Sequence, residues 1–199
     1  MKKIGFMLLF FLTTSACSEP EAKTEHSVQK PSFYAGQEKR GIKSLSPGEI
    51  KGLLAGSGTP FGGMAKLAEL NGYPGPRHVL DLADDMNLSD EQVGQIRAIY
   101  DQMKNDAVEL GKQIIAIEKK MNDAFADRMI SEKVLQSQIK ESADVYAQLR
   151  FVHLRAHLQM DTILSKEQRA KYDQLRGYST AAGVPAGHDP EMWKKHNGS

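Results

Sequence analysis

An apolar periodicity over residues 93–124 constrains the fold of this chain more than any other feature. The spacings between its members alternate strictly between three and four residues. This alternation is typical of a helix with one apolar stripe, and at 1.5 Å per residue it predicts a helix over 89–127 about 60 Å long. The members of this first stripe are Val93, Ile96, Tyr100, Met103, Ala107, Leu110, Ile114, Ile117, Met121 and Ala124.

A second stripe follows the polar break ADRMIS at 126–131 and predicts a second long helix. Two long helices joined by a short connection pack antiparallel. The predicted fold is therefore all-α: a long antiparallel helical hairpin with shorter helices across its open end. One hairpin cannot bury both sides of two such helices, so we also expect a homodimer. The members of the second stripe are Leu135, Ile139, Ser142, Tyr146, Leu149, His153, Ala156, Met160 and Ile163.

The segments around the hairpin are predicted from their turn and capping residues. Ser46, Pro47 and Glu49 have the spacing of a capping box, which predicts a short helix over 47–55. Further short helices are expected over 64–70 and 77–86, and a last one over 166–176. The predicted organisation is an export signal at 1–17, a flexible linker at 18–45, short helices and turns at 46–76, a helical domain at 77–177 and a flexible tail at 178–199.

The first segment, MKKIGFMLLFFLTTSAC, has the form of an export signal. Two lysines precede an apolar run that is too short to span a bilayer, and small residues follow it. Cys17, the single cysteine of the chain, stands where the signal would end, in a tetrapeptide that resembles the lipobox of bacterial lipoproteins. We expect either a lipidated Cys17 that anchors the protein to a membrane or a plain cleaved signal. Both interpretations predict a periplasmic protein.

Composition and missing motifs argue against two functional classes. The formal net charge is +1, whereas nucleic-acid binding favours a strongly basic domain, so no nucleic-acid partner is expected. The chain contains no Gly-x-Ser-x-Gly elbow and no HExxH zinc-protease motif. The sequence therefore predicts a protein that is not an enzyme.

One short motif occurs twice, as LSDEQ at 88–92 and LSKEQ at 164–168. The serine of each copy is expected to cap a helix, while the glutamine three positions later reaches back to close a capping box. Leu88 can form a hydrophobic staple with Val93, whereas Leu164 faces Arg169 at the equivalent position, so the second staple is expected to be poorer. The six motif residues are Leu88, Ser89 and Gln92 in the first copy and Leu164, Ser165 and Gln168 in the second.

Two L-[TS]-x-x-Q boxes at helix starts, in an exported helical hairpin, resemble the Spy/CpxP family of bacterial envelope proteins. The resemblance covers roughly residues 77–177. It implies four helices per subunit, paired into a curved antiparallel dimer. Members include periplasmic chaperones that hold unfolded clients without ATP, stress-pathway modulators, and metal-binding proteins of the CnrX and ZraP type. The implied partners are unfolded envelope proteins or a membrane signalling partner.

His153 and His157 lie one turn apart on the second long helix, and His153 falls on the apolar stripe itself. An imidazole there needs partners for its nitrogens. One interpretation is a hydrogen bond across the hairpin to Tyr100 or Asp101. The other is a transition-metal site for Cu, Zn or Ni, because histidines spaced i, i+4 on a helix commonly bind metals. Candidate further ligands are Asp101, Met103, Met160 and His78.

The tail repeats these residue types. His188, Met192 and His196 are spaced four and four apart. Mixed imidazole and thioether ligands favour Cu(I) or a similar soft ion, whereas imidazole with carboxylate suits a borderline divalent ion. The alternative is an unstructured end that carries histidines by chance.

Overall fold

The computed structural model describes residues 31–57 and 63–179, together with Met192. No strand forms within these residues, and the predicted all-α hairpin fold is confirmed. Residues 31–35 belong to one unit, and the described residues from Gly36 onward form a second, compact unit. A 3-10 turn at Gln37–Lys39 precedes six helices: α1 (Pro47–Leu54), α2 (Lys66–Glu69), α3 (Pro76–Asp81), α4 (Asp90–Ala126), α5 (Glu132–Ile163) and α6 (Lys166–Leu175).

The hairpin is formed by α4 and α5, which pack along each other. Its turn falls within the predicted polar break. Asp127 ends α4, Arg128 adopts a left-handed conformation with φ 55°, and Ser131 caps α5 by accepting a hydrogen bond from the Val134 amide at 3.4 Å. The four helices that the resemblance implied correspond to α3–α6, while α1 and α2 precede them.

The apolar interior consists of two clusters. The hairpin core joins α1 to the middle of α4 and α5, and the end core joins α3, α6 and the open end of the hairpin. Ile42 and Leu45, which lie in the segment predicted as a linker, are buried in the hairpin core. Its other buried members are Leu53, Met64, Ala107, Leu110, Ile114, Ile117, Val145, Leu149 and Val152. The end core contains Val79, Met86, Ile96, Met160, Leu164 and Tyr172.

The first helix, α1, lies directly on α4 because Gly111 has no side chain. A Cβ at Gly111 would stand 2.4 Å from the Leu53 carbonyl oxygen, so the two backbones are closer than any other residue would allow. The predicted capping box of α1 is present. The Ser46 hydroxyl accepts from the Glu49 amide at 3.2 Å, and the Glu49 carboxylate accepts from the Ser46 amide at 2.7 Å.

Near the turn, the buried face of α5 differs from the predicted stripe. Ile139 is 53% exposed, while the adjacent Gln138 is buried. Val145 and Val152, also absent from the stripe, are buried in the hairpin core. The apolar face of α5 is wider than one stripe because it contacts both α4 and the segment around α1.

The third helix is shorter than expected. It ends at Asp81 rather than near residue 86, and a turn follows in which Asn87 has φ 50°. Asp84 and Asp85 would lie at the C-terminus of a longer helix, where negative charge is unfavourable. The turn places Met86 in the end core.

Candidate functional site

The two motif copies meet at the open end of the hairpin, and both predicted capping boxes are confirmed. Ser89 accepts from the Gln92 amide, and Ser165 accepts from the Gln168 amide, each at 3.2 Å. Each glutamine side chain accepts in return from the amide of its own capping serine, at 3.1 and 3.0 Å.

The two motif glutamines also bond to each other. Nε2 of Gln92 donates to Oε1 of Gln168 at 2.9 Å, and Nε2 of Gln168 donates to Oε1 of Gln92 at 3.1 Å. A glutamate could close either capping box, but it could not donate to the opposite side chain. The pair therefore explains why both copies end in glutamine: each side chain caps its own helix and binds the start of the other. Gln92 also donates to the Ile163 carbonyl at the end of α5, at 3.0 Å.

His153 is buried in the face of α5 that contacts α4. Its Nδ1 donates to the Leu149 carbonyl of its own helix at 3.0 Å, rather than to Tyr100 or Asp101 across the hairpin. A carbonyl only accepts, so the proton of the neutral ring is on Nδ1 and Nε2 has a lone pair.

His157 is held in the same way by a different element. Its Nδ1 donates at 2.7 Å to the carbonyl of Tyr73, in the turn before α3, and lies 3.9 Å from Oε2 of Glu69. Gly75 packs against the ring: a Cβ there would stand 3.2 Å from Nε2 of His157. Both histidines are thus fixed in the same tautomer by backbone carbonyls, which is the support that metal-binding histidines commonly have.

A cleft of about 460 Å³ joins these two histidines to the opposite helix, and we call it the His cleft. His153 and His157 line this cleft together with Tyr100, Met103 and Lys104 of α4. His78, the third predicted histidine, also lines the cleft, and burial followed by the charge of Arg176 lowers its pKa. The functional side chains of the lining are Ser57, Arg77, His78, Tyr100, Met103, Lys104, His153 and His157.

Glu69 forms a second polar site, which sequence reasoning missed. Its Oε1 accepts from the hydroxyls of Tyr172 and Tyr178 and lies 3.6 Å from Nε of Arg176, while its Oε2 accepts from the Gly75 amide at 3.1 Å. Burial, and then the hydrogen bond to Glu69, raise the pKa of Tyr172. These contacts, which we call the Glu69 clasp, fasten α2 to α6. A single glutamate in a short helix carries no motif that could have revealed it.

The other predicted ligands lie apart from the His cleft. Met160 is fully buried in the end core, and Asp101 is exposed. Met192 is 57% exposed, whereas His188, His196 and Cys17 lie outside the described residues. Among the residues that the structure describes, no group of three or more His, Cys, Asp or Glu side chains could hold a metal ion.

The turn of the hairpin exposes apolar side chains. Phe125 is 53% exposed and Ile139 is 53% exposed, and both adjoin the half-buried Met121. We call these three residues the tip patch. Met129, in the turn itself, is 79% exposed. Within the described ranges, no helix is both long and apolar enough to cross a membrane.

One of three comparisons with known proteins found a match. Searches of curated proteins and of solved structures returned no match to the chain. A family model described as "LTXXQ motif family protein" matches residues 76–176. This match covers both motif copies, the hairpin and four helices, which is the region that resembled the Spy/CpxP family. The glutamines of both boxes, Gln92 and Gln168, fall within the matched residues and are hydrogen-bonded to each other. Because the family model matches half of the chain, the chain belongs to the LTXXQ motif family.

Proposed function

We propose that this protein is an envelope chaperone that holds unfolded proteins on the surface of its helical hairpin without ATP. Proteins of the LTXXQ family are generally non-enzymatic, and the Spy/CpxP-like family is periplasmic. Family membership therefore supports the location and the absence of catalysis. The choice of chaperone activity depends on the surface of the hairpin.

The tip patch is the observation that carries this proposal. Contiguous exposed apolar surface in a folded protein marks an interaction site. Methionine beside aromatic and aliphatic side chains suits variable partners, because its unbranched chain adapts to different shapes. Lys43 and Glu118 line the same pocket as Phe125 and Met121, so side chains of both charges adjoin the patch. An unfolded client presents apolar segments with mixed charges, which such a surface can bind weakly and reversibly.

The test is suppression of the aggregation of an unfolded client protein in the absence of ATP. We expect Phe125→Ser combined with Ile139→Ser to abolish suppression. Leu67→Ser is the matched control, since Leu67 is 51% exposed on α2 and is not part of the tip patch. A wild-type protein without suppression, or a double variant as active as the wild type, would contradict the proposal.

We propose that a second copy binds along the long helices. Phe151 and Leu158 are 60% and 58% exposed and lie two turns apart on one side of α5. Next to them, Ile99, Val152 and Ala156 line an apolar depression between α4 and α5. Light scattering should show a dimer that Phe151→Lys with Leu158→Lys converts to a monomer. A monomeric wild type, or a dimeric double variant, would refute this arrangement.

We also propose that Cys17 is lipidated and anchors the protein to a membrane. The observation behind it is the position of the single cysteine at the end of the export signal. Mass spectrometry of the protein extracted from membranes should show an acylated N-terminal cysteine. Cys17→Ser should release the protein into the soluble periplasmic fraction, and a Cys17→Ser protein that stays with the membrane would exclude the anchor.

Metal binding at His153 and His157 is a second candidate function. It is supported by the backbone carbonyls of Leu149 and Tyr73, which fix both rings with Nε2 available as a ligand atom. Calorimetric titration with Cu(I), Zn(II) and Ni(II) tests it. Micromolar or tighter binding that His153→Ala with His157→Ala abolishes would support the function. Binding that survives the double substitution would place the metal elsewhere.

A further inference from the structure

The His cleft has an unusual charge composition for a metal site. Among the described residues that line it, none is an aspartate or a glutamate, although the whole chain carries 25 of them. Two of its lining residues, Arg77 and Lys104, are permanent cations. The Lys104 ammonium lies 5.9 Å from the centre of the Tyr100 ring. A divalent ion in this cleft would meet no negatively charged ligand and two positive neighbours.

The nearest carboxylates lie outside the lining. Glu69 is on the Nδ1 side of the His157 ring, 3.9 Å from that nitrogen, and its charge is shared with Arg176 and two tyrosine hydroxyls. Asp81 is 3.8 Å from Nδ1 of His78 and is an exposed side chain of α3. Neither carboxylate belongs to the lining.

The ligand atoms that the cleft does offer are neutral and soft. His153 and His157 donate their Nδ1 protons to carbonyls, which leaves the two Nε2 lone pairs for a ligand. Met103, from the facing helix α4, lines the same cleft and supplies a thioether sulfur. Imidazole and thioether together favour Cu(I) and similar monovalent ions over Zn(II) or Ni(II). A monovalent ion is also repelled less by Lys104 than a divalent ion is.

We propose that the His cleft is a site for a soft monovalent cation, Cu(I), bound by Nε2 of His153, Nε2 of His157 and the sulfur of Met103. This proposal rests on the second candidate function and deepens it. It assigns the thioether role to Met103 rather than to Met160, which is enclosed in the end core. It also excludes Asp101, an exposed residue that does not line the cleft.

The test uses the whole protein with His188→Gln and His196→Gln, so that the tail does not contribute ligands. Under anaerobic reducing conditions, competition with a chromophoric Cu(I) chelator should show one bound Cu(I). Zn(II) and Ni(II) should bind at least about a hundredfold more weakly. Met103→Leu should weaken Cu(I) binding by about tenfold or more. Met160→Leu is the matched control and should leave Cu(I) affinity unchanged, because it preserves volume in the end core.

Two further measurements keep the proposal falsifiable if Met103→Leu disturbs the fold. X-ray absorption at the copper edge of the His188→Gln, His196→Gln protein, with Met192→Leu added to remove the tail thioether, should show one sulfur and two nitrogen scatterers. Gly75→Ala removes no ligand atom, but its methyl group would stand 3.2 Å from Nε2 of His157 and should weaken Cu(I) binding. Absence of sulfur scattering, or an unchanged affinity in Gly75→Ala, would overturn the assignment.

The outcomes separate this inference from the function it rests on. Zn(II) or Ni(II) binding as tight as Cu(I), lost with the histidines but not with Met103, would overturn the monovalent site and leave metal binding intact. No binding of any of the three ions would overturn both. Neither result affects the chaperone proposal, which depends on the tip patch.

Discussion

Gln92 and Gln168 exchange two side-chain hydrogen bonds, of 2.9 and 3.1 Å, although 76 positions separate them in the chain. Each also closes the capping box of its own helix. The two motif copies thus form one structural unit at the open end of the hairpin, where α4 and α6 begin side by side. Stability should therefore depend on the pair and not only on the separate caps.

Replacing either motif glutamine by glutamate tests this unit. Gln92→Glu retains the acceptor for its own cap but loses the donor and sets a carboxylate against Oε1 of Gln168. We expect each single substitution to lower the free energy of unfolding by about 1–3 kcal/mol. Urea denaturation measures it, with the exposed Gln148→Glu on α5 as the control, expected within about 0.5 kcal/mol of the wild type.

A double-mutant cycle then measures the coupling free energy between the Gln92 and Gln168 side chains. Gln92→Ala and Gln168→Ala should show a coupling of about 0.5–3 kcal/mol, because the second substitution finds the partner already gone. Strict additivity would mean that the caps act independently and that the side-chain pair contributes nothing.

The contact of α1 with α4 is tested by two glycine substitutions on the same helix. At Gly111 a methyl group would meet the Leu53 carbonyl, whereas at Gly94 it would meet nothing within 4 Å. Gly94→Ala should stabilise the protein by about 0.5–1 kcal/mol through helix propensity. Gly111→Ala should destabilise it and increase hydrogen exchange in α1. Equal stabilisation by both would show that α1 does not lie against α4 at this point.

The native side chain of Gln138 is expected to lower the free energy of unfolding. In the described part of the chain its buried Oε1 has no hydrogen-bond partner. Gln138→Leu should raise the free energy of unfolding by about 1–3 kcal/mol, because it removes the uncompensated desolvation of that oxygen. Gln136→Leu, at an exposed position of α5, is the control and should change stability little. A destabilised Gln138→Leu would indicate a partner or a bound water at this position.

Stability should fall as the solution becomes strongly alkaline. Burial, followed by the charges of Glu118 and Glu49, raises the pKa of Tyr146 from 10.0 to about 12. Below pH 10 both the folded and the unfolded chain keep this proton. Between pH 10 and 12 the unfolded chain releases it first, so the free energy of unfolding decreases as pH rises. Urea denaturation at several pH values would measure the slope, and Tyr146→Phe should make it shallower.

The periodicity of the sequence was sufficient to predict the hairpin, because a long apolar stripe with three-and-four spacing fits an amphipathic helix and few other structures. It was not sufficient to predict which residues cover the hairpin. Ile42 and Leu45 are isolated apolar residues in a polar segment, and their burial depends on a tertiary contact that local pattern does not encode. The same cluster buries Val145 and Val152, which the predicted stripe of α5 did not include.

The candidate site was predicted in part. The i, i+4 spacing drew attention to His153 and His157, and the predicted hairpin placed Tyr100 across from them. The carbonyls that orient the rings come from Leu149 and from Tyr73. Every residue has a backbone carbonyl, so the sequence does not show which one a histidine will bind. Met103 and Met160 both belong to the predicted apolar stripes. Only the packing shows that Met103 lines the His cleft whereas Met160 is buried in the end core.

The Glu69 clasp limits how far the protein can be truncated, because it crosses the boundary of the family match. Glu69 and Gly75 precede the region that the family model matches, whereas Tyr172 and Arg176 lie inside it. An expression fragment trimmed to residues 76–176 would leave the Tyr172 hydroxyl without its acceptor and expose the apolar side of the long helices that α1 covers. We therefore expect a fragment that begins before Ile42 to be more stable than one trimmed to the matched residues.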